Sequence, residues 1–408
     1  MAQLPPGEPA PKNGILPLRQ GYESSDSFHA YIHVPFCRVR CGYCDFNTYT
    51  ATELRGVSQD GFAAHLIAEI DFSKRVLAES GYSPKKLASV FFGGGTPTQL
   101  PASDLVAILT TLEATFGFET GAEITTEANP DNVDLAYLEE LKAGGFTRVS
   151  FGMQSAVPSV LKVLDRSHTP ERVPEVVAWA KAVGLQTSVD LIYGAPTETI
   201  ADWQQSIEAA LALETDHISA YSLIVEEGTK LARQISKGEL PEPDEDEQAE
   251  KYEMAERAFA AAGFEWYELS NWARGDSSRS RHNLAYWQGR DWWGYGPGSH
   301  SHVGGVRWWN MKHPAPYVEA LSRGESPALA REVLAEQTSL EEKVLLELRL
   351  REGLPIETLR EVDAFDSSKV AGLIADGLVD AGAALKGRLV LTLQGRLLAD
   401  LVVRQLLG

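Results

Sequence analysis

Short apolar runs alternate with amphipathic helical stretches along the first half of the chain. This alternation is typical of repeated β-α units around a parallel sheet. The apolar runs predict six strands, at residues 29–34, 87–92, 123–127, 147–152, 186–192 and 217–224. The stretches between them predict helices near residues 60–80, 102–116, 132–144, 171–183 and 200–213. Six units are too few for a closed eightfold barrel, so we predict an α/β fold built on a partial (β/α)6 barrel.

The pattern changes after the sixth predicted strand. An acidic run at residues 242–247 indicates a helix N-terminus, where negative charge suits the helix dipole. Seven of the nine tryptophans lie between Trp266 and Trp309. From about Arg331 the pattern predicts three helices, a strand and a final helix, which resembles a small winged-helix module for packing or partner binding. The predicted organisation is a disordered tail (1–28), the partial barrel (29–225), an α+β extension (226–325) and a winged-helix-like domain (326–408).

Composition narrows the setting and the partners. The formal net charge of -20 repels phosphate backbones, so nucleic acid is not expected as the main partner. The chain has no run of about 18 apolar residues, and the first 28 residues lack the apolar block of a signal peptide. Three cysteines cannot form a disulfide framework, which favours a reducing compartment. We therefore predict a cytoplasmic protein.

All three cysteines lie in one short stretch, YIHVPFCRVRCGYCDF, which runs from Tyr31 to Phe46. Cys37, Cys41 and Cys44 have the spacing CxxxCxxC, which lets three thiolates approach one metal centre. A structural zinc ion needs a fourth ligand, which His33 or another histidine would have to supply. An iron-sulfur cubane held by three cysteines instead leaves one iron open for a small molecule. The spacing by itself is compatible with both kinds of site.

Polar or glycine-rich positions end several of the predicted strands. The second strand ends in FFGGGTPT, where glycines allow close approach of the backbone to a ligand and expose amide donors. Glu127, Gln154 and Asp190 stand at the next three strand ends. Each has an alternative role, as a turn cap, a backbone partner or an arginine partner. Because parallel strands end at one edge of a sheet, we predict that the four features form one ligand site.

These motifs together resemble the radical S-adenosylmethionine (SAM) superfamily, whose signature is CxxxCxxC after the first barrel strand. The resemblance implies that Cys37, Cys41 and Cys44 hold a 4Fe-4S cluster. In that superfamily the amino and carboxylate groups of SAM chelate the open iron. Reduction of the cluster, by a protein such as a flavodoxin or ferredoxin, then splits the sulfonium and releases a 5'-deoxyadenosyl radical.

The motifs YIHVPFC, GGGTP, GMQS and DLIYG resemble more closely the branch that includes oxygen-independent coproporphyrinogen oxidase. This likeness extends over about residues 29–310. It implies that the residues contacting SAM are Tyr31, Gly94, Gly95, Thr96, Glu127, Gln154, Arg166 and Asp190.

Two departures separate the chain from that oxidase. Phe46 stands where the oxidase has a fourth cysteine, and the tail of residues 1–28 differs from the segment that helps form the substrate site of the oxidase. Both departures, with RHNLAYW at residues 281–287, are similar to the HemW family of heme chaperones. The shared HNxxYW motif, associated there with heme binding, is His282, Asn283, Tyr286 and Trp287 in this chain. The resemblance implies a heme chaperone without oxidase activity, and the alternative is an oxygen-independent coproporphyrinogen III dehydrogenase that forms protoporphyrinogen IX.

The heme ligand stays open at this stage. His282 is a candidate, but a histidine in a tryptophan-rich segment is also a common core residue; His300 and His302 are rival ligands. The tryptophans at positions 292, 293, 308 and 309 could line an apolar ligand surface or fill the core. The expected partners are heme, acceptor hemoproteins of the respiratory chain and the reductant. Peripheral membrane contact and the oligomeric state are left open.

Overall fold

The computed structural model of the protein describes residues 7–18, 25–50, 54, 56–83 and 85–408. The strands in these residues are β1 (Glu8–Pro9), β2 (Phe28–Val34), β3 (Leu87–Gly94), β4 (Phe118–Ala128), β5 (Arg148–Gln154), β6 (Gln186–Tyr193), β7 (His217–Ser222), β8 (Glu265–Glu268), β9 (Asn271–Ala273), β10 (Asp291–Tyr295), β11 (His300–Val303), β12 (Val306–Asn310), β13 (Ala328–Val333), β14 (Leu354–Pro355) and β15 (Arg388–Leu389). The helices are α1 (Phe62–Glu79), α2 (Ala102–Phe116), α3 (Leu135–Ala143), α4 (Pro158–Val163), α5 (Arg172–Ala182), α6 (Ile200–Ala212), α7 (Lys230–Ser236), α8 (Glu245–Ala261), α9 (Arg281–Trp287), α10 (Pro314–Ser322), α11 (Glu336–Glu347), α12 (Ile356–Glu361), α13 (Ser367–Ala375), α14 (Ala381–Leu385), α15 (Leu393–Leu397) and α16 (Ala399–Leu407).

The six predicted strands form the centre of one large sheet. Strands β2 to β7 are neighbours in chain order, and every pair among them is parallel. In the described part of the chain this sheet has thirteen strands, in the order β1-β13-β12-β11-β10-β2-β3-β4-β5-β6-β7-β9-β8. Because the sheet ends in the edge strands β1 and β8, the barrel is open. The predicted α/β fold with a partial barrel is confirmed.

Helix α2 illustrates why the helices cover the outer face of this sheet. Its buried residues Leu105, Ile108, Leu109 and Leu112 recur at the spacing of one helical face. Burial of each such side chain stabilises the fold by about 1.5–3 kcal/mol. The helix ends at Gly117, whose φ of 71° is a conformation that glycine adopts without strain. The apolar stripe therefore fixes which side of α2 meets the strands.

The N-terminal tail differs from its prediction as a disordered segment, residues 1–28. Its described part contains β1, which pairs antiparallel with β13, and Arg331 donates to the carboxylate of Glu8 over 2.7 Å. Leu16 is buried, and its amide donates to the hydroxyl of Ser80 at 2.9 Å. The edge of β13 would otherwise expose unpaired backbone groups, which gives the tail a partner. Residues 1–6 and 19–24 of the tail lie outside the described part of the chain.

The C-terminal residues build a second hydrophobic core. It begins at Val344 on α11 and continues to Leu406 on α16, with β14 and β15 forming a two-stranded antiparallel ladder. The prediction of three helices, a strand and a final helix is therefore too simple. Four helices, α11 to α14, precede the strand β15, two helices, α15 and α16, follow it, and β14 is an additional strand. Strand β13 still belongs to the large sheet, so this second core starts after it. Among the described residues no helix is long and apolar enough to cross a membrane.

Candidate functional site

A cavity of about 640 Å³ opens at the carboxyl ends of the parallel strands. Its volume is within the range usual for sites that enclose one small molecule. Its walls include the three cysteines and all eight residues that the sequence predicts to contact SAM: Tyr31, Cys37, Cys41, Cys44, Gly94, Gly95, Thr96, Glu127, Gln154, Arg166 and Asp190. Residues from the five strands β2 to β6, from the cysteine loop, from the turn after β3 and from the segment after α4 therefore meet at one place.

The cysteines lie on a loop that follows β2 and closes on itself. The amide of Cys37 donates to the carbonyl of Tyr49 at 3.1 Å, and the amide of Tyr49 donates to Pro35 at 2.7 Å. Within the loop the amide of Cys44 donates to the carbonyl of Cys41 at 3.2 Å. All three cysteines are half-buried free thiols. The backbone thus holds the thiols together at the edge of the cavity before any metal binds.

The surroundings of His33 bear on the kind of metal centre. Its Nε2 donates to the carbonyl of Asn47 at 2.9 Å, and its Nδ1 accepts from the hydroxyl of Tyr31 at 3.1 Å. Both ring nitrogens are therefore engaged, which removes it as the fourth zinc ligand in this conformation. No group of three or more His, Cys, Asp or Glu side chains in the described residues converges on a single ion. A cubane binds each thiolate through a different iron, so its ligands need not converge on one point.

Burial keeps two of the thiols, those of Cys37 and Cys44, in the protonated form until metal binds. Burial raises the pKa of Cys37 to about 11, although a hydrogen bond with Thr96 opposes this, and burial also raises the pKa of Cys44. Thiolates are the metal-binding form, so iron has to displace these protons. Arg166 donates from its Nη1 to the sulfur of Cys41 over 3.8 Å. The donor set fits an iron-sulfur cluster.

The glycine turn after β3 supports the cysteine loop. A Cβ atom at Gly95 would lie 2.6 Å from the carbonyl oxygen of Phe36 and 3.0 Å from the sulfur of Cys37. The amide of Gly95 donates to Val34 and that of Thr96 to Phe36, both over 2.8 Å. The sequence predicts that amides of this turn donate to a ligand, but these two donate to backbone carbonyls of the protein itself. The turn needs glycine because the cysteine loop packs directly against it.

Glu127 and Asp190 are half-buried residues whose carboxyl groups stand in the cavity wall. Burial first, and then the charge of Asp190, raise the pKa of Glu127 to about 8, although the amide of Gly94 donates to it. Asp190 accepts from the hydroxyl of Ser150 at 2.9 Å, and burial raises its pKa as well. Two carboxyl groups that burial disfavours as anions are suited to a ligand with positive charge or several hydrogen-bond donors.

Gln154 and Arg166 complete the polar wall. Gln154 has a φ of 62°, a strained conformation for a residue with a side chain, and the register with β6 shifts between Gly152 and Gln154. Arg166 donates to the carbonyl of Gly152 at 2.8 Å, while its buried Nε has no hydrogen-bond partner in the described residues. An unsatisfied buried donor and local strain are both typical of a ligand site.

A Glu127→Gln variant should show how the buried carboxyl depends on pH. The ordinary pKa is 4.5, so between about pH 4.5 and 8 the folded protein holds a proton that the unfolded chain has lost, and stability falls as the pH rises. Without SAM we expect the variant to exceed the wild type in free energy of unfolding by about 4 kcal/mol at pH 8. Near pH 4 the two should be equal. Urea unfolding across this pH range measures the difference in free energy of unfolding. An equal pH dependence in both proteins would contradict the raised pKa of Glu127. The control is Glu119→Gln, which changes an exposed carboxylate on the same strand.

The HNxxYW segment lies on α9, at the opposite end of the cavity. His282 is 2% exposed, and it forms hydrogen bonds through Nδ1 with the hydroxyl of Ser89 at 2.8 Å and through Nε2 with the hydroxyl of Tyr286 at 3.0 Å. Its ring stacks on Phe91 with centroids 5.2 Å apart. The hydroxyl of Ser89 is also bonded to His29 at 2.8 Å. Asn283 and Tyr286 reach the cavity wall as well, and Trp287 is not among the lining residues.

Glu123 and Arg148 join α9 to the barrel and were not predicted as site residues. Glu123 accepts from the amides of Arg281 and His282 at 3.1 and 3.2 Å, at the start of the helix. It also pairs with Arg148 over 3.3 Å, and both side chains are almost fully buried. One feature of the sequence could have indicated this pair: each of the two predicted strands, 123–127 and 147–152, has a charged residue near its start. Arg148 also lines the cavity.

The rival histidines and the tryptophans belong mostly to the packing of the extension. His302 is buried and forms a hydrogen bond with the carbonyl of Arg290 at 3.2 Å. The ring of His300 stacks on Trp309 with centroids 6.0 Å apart. Trp293 and Trp308 are buried, and their rings are in edge-to-face contact with centroids 4.7 Å apart. None of these residues lines the cavity.

The comparisons with known proteins agree with this geometry. The pattern of the Radical SAM superfamily matches residues 31–210. The fold is similar to that of coproporphyrinogen III oxidase (HemN) from Escherichia coli, with a TM-score of 0.79 and 22% sequence identity over 95% of this chain and 92% of that one. The fold and the cysteine loop therefore define a radical SAM protein.

Its sequence relatives narrow the class further. Heme chaperone HemW of Mycobacterium tuberculosis is 45% identical over 382 residues, which cover 93% of this chain and 95% of the relative. Heme chaperone HemW of Bacillus subtilis is 32% identical over 386 residues, or 93% of this chain and 99% of the relative. The chain belongs to the HemW family.

Proposed function

We propose that the protein is a heme chaperone, which binds heme together with a 4Fe-4S cluster and SAM and delivers the heme to hemoproteins of the respiratory chain. The observation that carries the proposal is that one cavity joins a three-cysteine loop to a polar wall suited to SAM. Membership of the HemW family supports the heme part of the proposal. Phe46, at the position of the fourth cysteine of the oxidase, is exposed to solvent and supplies no thiol.

In this proposal each group has assigned residues. Cys37, Cys41 and Cys44 hold the cluster, and the cofactor is held by Tyr31, Gly94, Gly95, Thr96, Glu127, Gln154, Arg166 and Asp190. The cluster, when reduced, supplies the electron that splits the sulfonium of SAM. The chain itself orients the cofactor through its buried carboxyl groups and through Arg166, and the strand ends exclude water from it. A flavodoxin or ferredoxin is the proposed reductant, and acceptor hemoproteins are the proposed partners.

Heme titration tests the proposal. We expect the cluster-loaded protein to bind heme saturably, with a Soret band that shifts from that of heme in buffer and reaches a plateau at a fixed stoichiometry. The same preparation, incubated anaerobically with coproporphyrinogen III, SAM and a reductant, should form no product with two fewer carboxylates. Absence of saturable heme binding would contradict the chaperone proposal, and formation of that product would replace it with the dehydrogenase.

A further inference from the structure

Four large apolar side chains are exposed around the mouth of the cavity. Val39 and Phe46, on the cysteine loop, are 51% and 59% exposed; Tyr221 and Ile224, at and after the end of β7, are 44% and 67% exposed. All four line the cavity, and together they are called the mouth surface here. Exposed apolar groups that gather at one place on a protein mark a binding surface. The mouth surface therefore suits a ligand with a broad apolar face.

Two arginines lie beside this surface on the cysteine loop, although the chain as a whole is acidic. The cysteine loop reads CRVRC, so Arg38 and Arg40 stand on either side of Val39, and both side chains line the cavity and are exposed. The guanidinium of Arg40 also donates to the carbonyl of Thr48. The loop carries one exposed carboxylate, on Asp45. Other carboxylates that line the cavity, among them Asp131 and Glu226, stand on other segments. The two guanidinium groups beside the apolar side chains of the cysteine loop suit a flat apolar molecule that bears carboxylates, because guanidinium groups bind carboxylates well.

The other candidate place for heme is less favourable. His282 uses both ring nitrogens in hydrogen bonds and is nearly inaccessible. Its partner Ser89 precedes Gly94 by five residues on β3, so it lies roughly 16 Å below the glycine turn along the strand. Heme ligated there would have to enter the barrel, in the volume that the SAM residues line. The cavity of about 640 Å³ is of the size that one such ligand occupies.

We propose that heme docks on the mouth surface, with its macrocycle against Val39, Phe46, Tyr221 and Ile224 and its propionates on Arg38 and Arg40. His282 is then a positioning residue that joins α9 to β3 and does not ligate the heme iron. The inference rests on the proposed function, since it names the place on this chain where the cargo sits. It leaves the cavity beneath the mouth to SAM, so heme and SAM bind at the same time.

Charge substitutions on the mouth surface test the docking site. Ile224→Asp changes an exposed residue outside the cysteine loop, so the cluster should still form, and it places a charge against the macrocycle. We expect the dissociation constant for heme, from Soret titration of the cluster-loaded protein, to rise at least about tenfold. Arg38→Glu should raise it by a similar factor through repulsion of the propionates. Leu385→Asp is the matched control: Leu385 is 90% exposed on α14 and does not line the cavity, so its substitution should leave the dissociation constant unchanged.

The role of His282 is tested with His282→Gln, which keeps a hydrogen-bonding side chain for Ser89 or Tyr286. In variant protein that retains the iron content of the wild type, we expect the Soret maximum, the electron paramagnetic resonance spectrum of ferric heme and the dissociation constant to match those of the wild type. The affinity for SAM should fall, because Tyr31 and Phe91 pack beside the His282 ring. Loss of an axial-ligand signature, with SAM affinity unchanged, would overturn the positioning role.

A competition experiment separates the two places for heme even if a variant fails to fold. Wild-type protein is titrated with heme in the presence and absence of saturating SAM. An unchanged dissociation constant supports docking at the mouth, and displacement of heme by SAM would place heme inside the cavity and overturn the inference. If the wild type binds no heme at all, the proposed function fails. If it binds heme but Ile224→Asp and Arg38→Glu bind equally well, only the mouth site fails.

Discussion

Cys44→Ala is expected to abolish formation of the iron-sulfur cluster. The loop offers three thiols, and removal of one leaves a second iron of a cubane without a protein ligand. After anaerobic reconstitution the wild type should contain about four iron atoms per chain and give a reduced-cluster electron paramagnetic resonance signal that changes when SAM is added. The variant should bind little iron and show no response to SAM.

The control for this experiment comes from the same loop. Asp45→Asn changes the exposed neighbour of Cys44 and leaves the three thiols in place, so it should retain both the iron and the response to SAM. A Cys44→Ala protein that kept a full cluster with the same spectral change would show that a different residue is the ligand. Loss of the cluster in Asp45→Asn as well would point to a folding defect of the loop instead.

Glu123→Ala is expected to have the largest effect on stability. The substitution leaves the buried guanidinium of Arg148 without its carboxylate and removes the acceptor for the amides of Arg281 and His282. Breaking a buried ion pair on one side costs about 3–5 kcal/mol, because an uncompensated charge remains in a low-dielectric interior. Denaturant unfolding, followed by tryptophan fluorescence, measures this loss of free energy of unfolding.

Two further variants make this result specific. Glu119→Ala removes an exposed carboxylate from the same strand and should change the free energy of unfolding by less than about 0.5 kcal/mol. The double variant Glu123→Leu with Arg148→Met removes both charges and should recover part of the lost stability. If Glu123→Ala were as stable as Glu119→Ala, the ion pair would not connect the barrel to α9 as described.

Much of the barrel can be predicted from the local pattern. The apolar stripe at residues 102–116 predicts α2 to the residue, because Pro101 and Gly117 bound it on both sides. Strand β4 begins at Phe118, five residues before its prediction, because Phe118 pairs with Leu87 on β3. The register then shifts, and the next pair is Glu123 with Ser89. The tail was predicted to be disordered for a related reason. Its strand exists only because β13 offers an open edge, which no local pattern reveals.

The candidate site divides in the same way. Cysteine spacing and strand-end residues are local features, so their meeting at one cavity follows from the order of parallel strands. The use of the Gly95 and Thr96 amides within the protein could not be predicted, because it depends on how closely the cysteine loop approaches the turn. The burial of His282 in the cavity wall is also a tertiary result, because its hydrogen-bond partner Ser89 lies 193 residues earlier in the chain. The docking site for heme and the residues that contact SAM stay proposals.

Transfer of heme to an acceptor tests the central claim most directly. The cluster-loaded protein is saturated with heme, separated from the excess and mixed with the apo form of a respiratory hemoprotein, and the two Soret spectra are followed over time. We predict that the acceptor spectrum appears as that of the carrier is lost, in equal amounts and faster than the same concentration of heme is taken up from an unrelated heme-binding protein. Retention of heme by the carrier, with no holo-acceptor formed, would contradict the account.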